Sequence, residues 1–180
     1  TPGGAISGGT GASATAAAAA GGVSGAGPGA TAVVPFTIQG ATSGGSVAWT
    51  RERLDPEQLA FLATLPMSAS DGDRLYVHAN AFAPAEWCYV LGRMEAVRSL
   101  QATSARFTFC GHVHDPKLFH LTGTGKIGDF VPSAGMPIPL SEQRRWLIIP
   151  GSAGQPRDGN PAACYATFDT SSSTLTYFRV

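Results

Sequence analysis

No residue from Thr1 to Thr50 carries a charge; Arg51 is the first. Up to about Ala32 the chain is almost entirely Gly, Ala, Ser and Thr. Such a stretch has too little large apolar side chain to offset the entropy of ordering it. A packed core must therefore be built from the residues after it. Gly at this density favours a flexible coil, so residues 1–46 read as a Gly/Ala/Ser-rich leader and 47–180 as the folded part. A short Ala helix over 14–20 would be marginal in water, and 33–38 reads as a short extended piece. The leader lacks the basic start and Leu-rich centre of a signal peptide.

The whole chain has 180 residues, enough for one domain with a real core. Its formal net charge is +0, which leaves no electrostatic footprint for nucleic acid and no basic run for an anionic membrane. No run is apolar enough to span a bilayer. Cys88, Cys110 and Cys164 are odd in number and lack metal-type spacing. They read as buried thiols of a reducing compartment, which makes the cytoplasm the expected location.

Beyond the leader the patterns become specific. Asp55-Pro56-Glu57-Gln58 is a helix start: Asp55 caps, Pro56 suits the first helical position, and Gln58 completes a capping box. Leu59, Phe61, Leu62 and Leu65 supply an apolar stripe, and Pro66 ends the helix. Asp71-Gly72-Asp73 is a turn leading into the strand Arg74-Leu75-Tyr76-Val77. A helix is expected near Ala85, and a second over 94–102 with Met94, Val97, Leu100 and Gln101 on its pattern. Short strands follow at 106–110, 118–121 and 146–149, with a Gly- and Pro-rich loop over 123–141. The segments 163–168 and 174–180 read as a closing hairpin. Alternating strands and helices, then strands alone, imply an α/β fold with a mixed sheet.

Three strands end in unusual chemistry: Val77-His78-Ala79-Asn80, Cys110-Gly111-His112-Val113-His114 and Ile149-Pro150-Gly151-Ser152. In layered α/β folds, sites gather outside strand ends. Taken alone, a His-x-His pair is a weak signal and reads as a solvated surface loop. If the three strands are neighbours, however, His78, His112 and His114 converge, and three imidazoles suit zinc or manganese. His120, inside Leu118-Phe119-His120-Leu121, reads as a core-edge or surface histidine. Asn80 either orients His78 or faces solvent. Ser152 lacks a Gly-x-Ser-x-Gly setting and reads as a loop hydroxyl that orders backbone.

Four pieces in order carry a family resemblance. They are Trp49-Thr50-Arg51-Glu52-Arg53-Leu54; Leu75-Tyr76-Val77-His78; Gly111-His112-Val113-His114; and Pro150-Gly151-Ser152-Ala153-Gly154-Gln155-Pro156-Arg157-Asp158. From about Val47 to Val180 the chain resembles the calcineurin-like metallophosphoesterases, most closely the bacterial phosphodiesterase and diadenosine-tetraphosphatase-like branch. The resemblance implies a four-layer α/β sandwich holding two divalent metal ions, Mn, Fe or Zn. It implies that His78 and His112 bind one ion and His114 its neighbour. The implied reaction is phosphoester hydrolysis, in which two cations lower the pKa of a shared water and stabilise charge on phosphate oxygens.

The family's remaining ligands are an Asp-x-His piece, a Gly-Asp piece with the bridging Asp, and a Gly-Asn-His piece whose His is often the general acid. Residues 1–50 contain no Asp, Glu, His, Asn or Cys, so no catalytic residue of the family's kind is identifiable. The chain thus resembles the C-terminal half of the domain behind its leader. It is expected to supply the three-His half of a two-metal site, to hold one ion rather than two, and to be inactive alone. Asp115 and Asp158 are the candidates for a substitute carboxylate. Asp115 alternatively faces solvent or caps a turn; Asp158 alternatively pairs with Arg157 or caps the Gly159-Asn160 turn. Arg157 is a candidate phosphate ligand or a loop salt bridge. The expected partner is a small phosphorylated substrate or nucleotide, with self-association through an uncovered face. The competing reading is a non-catalytic metal- or nucleotide-binding remnant of the fold.

Overall fold

The computed structural model describes residues 44–180, with side chains from Ala48 onward. The expected pieces at 14–20 and 33–38, and nearly all of the leader, lie outside the described residues. Two short helices come first, α1 (Gly44–Arg51) and α2 (Pro56–Thr64). The capping box of α2 forms as its sequence requires. Gln58 N–H donates to Asp55 Oδ1 at 2.8 Å, and Asp55 N–H donates to Gln58 Oε1 at 3.0 Å. Yet α2 buries no residue, and Phe61 on its apolar stripe is 56% exposed.

The remaining elements are β1 (Ser68–Asp71), β2 (Arg74–Val77), α3 (Arg93–Gln101), β3 (Phe107–Phe109), β4 (Lys117–Thr122), β5 (Ile127–Phe130), β6 (Ile138–Pro139), β7 (Arg144–Ile149), β8 (Cys164–Asp169) and β9 (Thr174–Arg179). Six strands form one mixed sheet in the order β1-β2-β3-β7-β4-β5. Its centre, β2-β3-β7, is parallel, while β1, β4 and β5 join it antiparallel. A second, antiparallel sheet runs β6-β9-β8. The α/β class with a mixed sheet, and the hairpin of β8 and β9, form as the sequence implies.

Two cores follow from the alternation of side chains across the large sheet. On one face Val77, Phe119, Leu147 and Ile149 pack with Ala96 and Leu100 of α3. On the other, Phe107, Leu118, Trp146 and Ile148 meet Cys164, Leu175 and Tyr177 from the second sheet. Among the described residues this makes three layers, helix on sheet on sheet. The outer face of the second sheet, where Tyr165 and Phe178 stack at 5.1 Å, leaves Tyr165 exposed.

Four expectations are corrected, and one strand appears that the sequence pattern does not assign. Residues 123–141 are not wholly loop, because Ile127–Phe130 pairs along β4 and Ile138–Pro139 along β9. Ser68–Asp71 is a strand despite its polar sequence, turned onto β2 through Gly72 at φ 60°. The helix near Ala85 is a single 3-10 turn, Pro84–Glu86. The buried face of α3 is Ala96, Ser99 and Leu100, whereas Met94 points outward. Cys110 and Cys164 are buried as expected, but Cys88 is exposed.

A candidate metal and phosphate site at three strand tips

Because β2, β3 and β7 are parallel neighbours, the loops that follow them leave the sheet on one edge. The backbone locks them together there. Cys110 N–H donates to the Ile148 carbonyl at 3.0 Å, and Gly111 N–H to the His78 carbonyl at 2.8 Å. This brings His78 and His112 into contact. His78 Nε2 lies 3.0 Å from His112 Nδ1, with ring centroids 4.8 Å apart.

The loop after β3 is strained where the chemistry sits. Val113 N–H donates back to the Gly111 carbonyl at 2.7 Å, closing a turn around His112 at φ 64°. A γ-turn of this positive-φ kind is rare and costly. His114 is also left-handed, at φ 70°, and Trp87 beside the site at φ 56°. Four non-glycine residues among those described have positive φ, and three of them are here. Strain of this sort persists only where packing enforces it, and it clusters at functional sites.

His114 is buried, with Nδ1 2.8 Å from the Gln155 carbonyl. A carbonyl only accepts, so Nδ1 carries the proton and Nε2 keeps its lone pair. All three imidazoles are held below their ordinary pKa, chiefly by burial. His78 is pushed down to about 4, with the neighbouring His112 and His114 adding repulsion. The Arg157 guanidinium depresses His112 and His114, while hydrogen bonds to Trp87 and Gln155 respectively pull the other way. The rings are therefore neutral near pH 7, the state that binds a metal.

Arg157 does not pair with Asp158. Its Nη2 donates to Gln155 Oε1 at 3.0 Å, and the guanidinium is exposed on the site's rim. Asp158 instead pairs with Arg179, and its Oδ1 accepts from Asn160 N–H at 3.4 Å. Asp115 is half-buried, with Oδ1 lacking a hydrogen-bond partner, and so does not face open solvent. Ser152 is buried and orders backbone, accepting from Gln155 N–H at 3.0 Å. His120 packs on Trp146 within β4, away from the strand tips, and its ring fills the space a side chain on Gly128 would need.

Asn80 neither orients His78 nor faces solvent. It is fully buried, donates to the Cys88 carbonyl at 2.8 Å and accepts from Ala83 N–H at 2.7 Å. It thereby straps the 83–88 loop, which delivers two rings that sequence reasoning missed. Trp87 tilts against His78 at 4.2 Å, and Tyr89 stacks on His112 at 4.1 Å with an interplanar angle of 17°. Nothing in the Trp87-Cys88-Tyr89 spacing signals this, because it depends on the left-handed backbone at Trp87.

The described residues contain no group of three or more His, Cys, Asp or Glu side chains arranged to hold a metal ion. No helix among them is long and apolar enough to cross a membrane. No family model matches the chain. It is 30% identical over 140 residues to an uncharacterized protein of Methanocaldococcus jannaschii, covering 75% of this chain and 54% of that protein. The crystal structure of a metallophosphoesterase from Sphaerobacter thermophilus matches with a TM-score of 0.67 at 32% identity, over 75% of this chain and 56% of that one. The chain thus spans about half the length of these relatives, and over that span it has the fold of a metallophosphoesterase.

Proposed function

We propose that this chain carries the three-histidine part of a metal-dependent phosphoester hydrolase of the calcineurin-like, diadenosine-tetraphosphatase-like kind. The observation that carries the reading is the 3.0 Å approach of His78 Nε2 to His112 Nδ1. The two nitrogens are close enough to hydrogen-bond to each other, and as neutral imidazoles they would hold one divalent cation between them if it took the place of that shared proton. The pair therefore fits a single cation such as Mn, Fe or Zn. His114, with Nε2 unprotonated, is the third imidazole available at that edge.

A divalent cation bound there supplies Lewis-acid charge to a phosphate and lowers the pKa of water. The chain's own residues do the rest. His78 and His112 present lone pairs at neutral pH because burial keeps them uncharged. The Gln155 carbonyl fixes the tautomer of His114. Arg157 places a planar donor fork on the rim, suited to a phosphate oxygen pair. The folded unit is taken as 47–180 behind the 1–46 leader, acting in the cytoplasm on a small phosphorylated substrate. The exposed Tyr165 face offers a surface for self-association.

A second reading, a non-catalytic module that binds one metal or a nucleotide, is favoured by one observation. No carboxylate among the described residues joins the imidazoles in a metal-holding group. Manganese-dependent release of p-nitrophenol from bis-p-nitrophenyl phosphate by the chain joined to the N-terminal half of a metallophosphoesterase domain, abolished by His112→Ala, is the result expected of the hydrolase. Manganese binding without release transfers the assignment to the second reading.

A further inference from the structure

The loop between β2 and α3 buries Ala79 and Val90, each at 1% exposure, and leaves Tyr89 and Leu91, the neighbours of Val90, exposed. Tyr89 is 40% exposed although one face of its ring lies on His112. An aromatic ring placed only to fill a core would be buried on both faces. Here two-fifths of the residue stays exposed, beside a site lined with imidazoles. Trp87 completes the arrangement, its ring centroid 4.2 Å from His78 and 5.6 Å from His112.

The backbone goes to some trouble to hold these rings. Trp87 sits at φ 56°, a conformation unfavourable for a bulky side chain. The buried Asn80 side chain straps the loop on both sides of the turn, at Ala83 and Cys88. Ala81 N–H adds a bond to the buried Ser99 hydroxyl at 2.9 Å. A strained backbone maintained by a buried polar network implies that ring position is what is being held.

We propose that Trp87 and Tyr89 form a stacking platform for the nucleobase of a nucleoside phosphoester whose phosphate lies at the strand-tip histidines. This rests on the phosphoester reading and narrows it to substrates with a planar aromatic group. Stacking on a preset ring needs no hydrogen-bond code, so the platform accepts purines and other flat groups with little discrimination.

The experiment compares binding of AMP, ribose 5-phosphate and adenosine to the full chain with manganese present, by calorimetry. AMP is expected to bind about tenfold or more tighter than ribose 5-phosphate. Tyr89→Ala should collapse that ratio while leaving ribose 5-phosphate unchanged, and Tyr89→Phe should restore it. Adenosine should bind weakly and lose its binding in Tyr89→Ala. Equal affinities for AMP and ribose 5-phosphate in the wild type overturn the platform and leave the phosphate site standing. An equal loss of both phosphates in Tyr89→Ala also overturns it, since Tyr89 then only supports His112. Tyr89-dependent binding of adenosine without binding of either phosphate upholds the platform and sinks the phosphoester reading.

Discussion

The two ends of the parallel strands β2, β3 and β7 are built on opposite principles. Where β2 and β3 begin, charge is present and paired. Arg74 pairs with Asp71 at 2.9 Å, and Arg106 pairs with Asp73 at 2.8 Å and Glu142 at 3.5 Å. Where they end, three imidazoles are kept uncharged chiefly by burial, two of them, His112 and His114, on a strained loop. The first end gains modestly from exposed ion pairs. The second accepts conformational cost to hold lone pairs in a fixed place, which is what a binding site needs.

The sharpest way to break the contrast is at Gly151, in the loop after β7. Its φ is +92°, and a Cβ there would come within 2.8 Å of the Cys164 side chain. Gly151→Ala should therefore cost about 2–5 kcal/mol, from backbone strain plus overpacking, read as a lower urea midpoint. A midpoint unchanged from wild type would mean the tip is not rigid. Next in size is Asn80→Ala. It removes two part-buried hydrogen bonds, one to the Cys88 carbonyl and one from the Ala83 N–H, so a loss of about 1–3 kcal/mol is expected. Faster amide exchange at Ala83 should accompany it; exchange as slow as in the wild type would contradict the strap.

The depressed pKa of His78 gives the third test. The unfolded chain takes up a proton at the ordinary value of 6.5, whereas the folded chain resists until about 4. Stability from this group is thus complete above 6.5 and is lost as pH falls toward 4. Urea midpoints measured in chelator should decline across that window, and His78→Gln should flatten the decline. An equally steep decline in the variant would remove His78 from the account. The smallest effect belongs to the opposite end: Asp73→Asn should change stability by less than about 1 kcal/mol and leave metal binding untouched.

The frame of this fold is legible in short local signals, while the fine structure of the site is not. Leu147, Ile148 and Ile149 announce a buried strand, and Asp55-Pro56-Glu57-Gln58 announces a helix start, because each depends on adjacent residues. Ser68–Asp71 carries no apolar pattern; it is a strand only because Gly72 folds it onto β2. Ile127–Phe130, within a Gly-rich run, likewise owes its structure to β4. The meeting of His78 with His112 could be anticipated from parallel strands ending together. The buried amide of Asn80 and the rings of Trp87 and Tyr89 could not, since left-handed backbone and a long-range strap place them. Asp158 chose Arg179 over its neighbour Arg157 for the same reason, a partner 21 residues away brought close by β9.

The most direct measurement is a calorimetric titration of the full chain with manganese and with zinc, repeated on His78→Ala and His112→Ala. One tight site in the wild type, lost in both variants, is the result expected if the strand-tip imidazoles share a cation. A wild-type chain that binds neither metal, or variants that bind as well as the wild type, would contradict it.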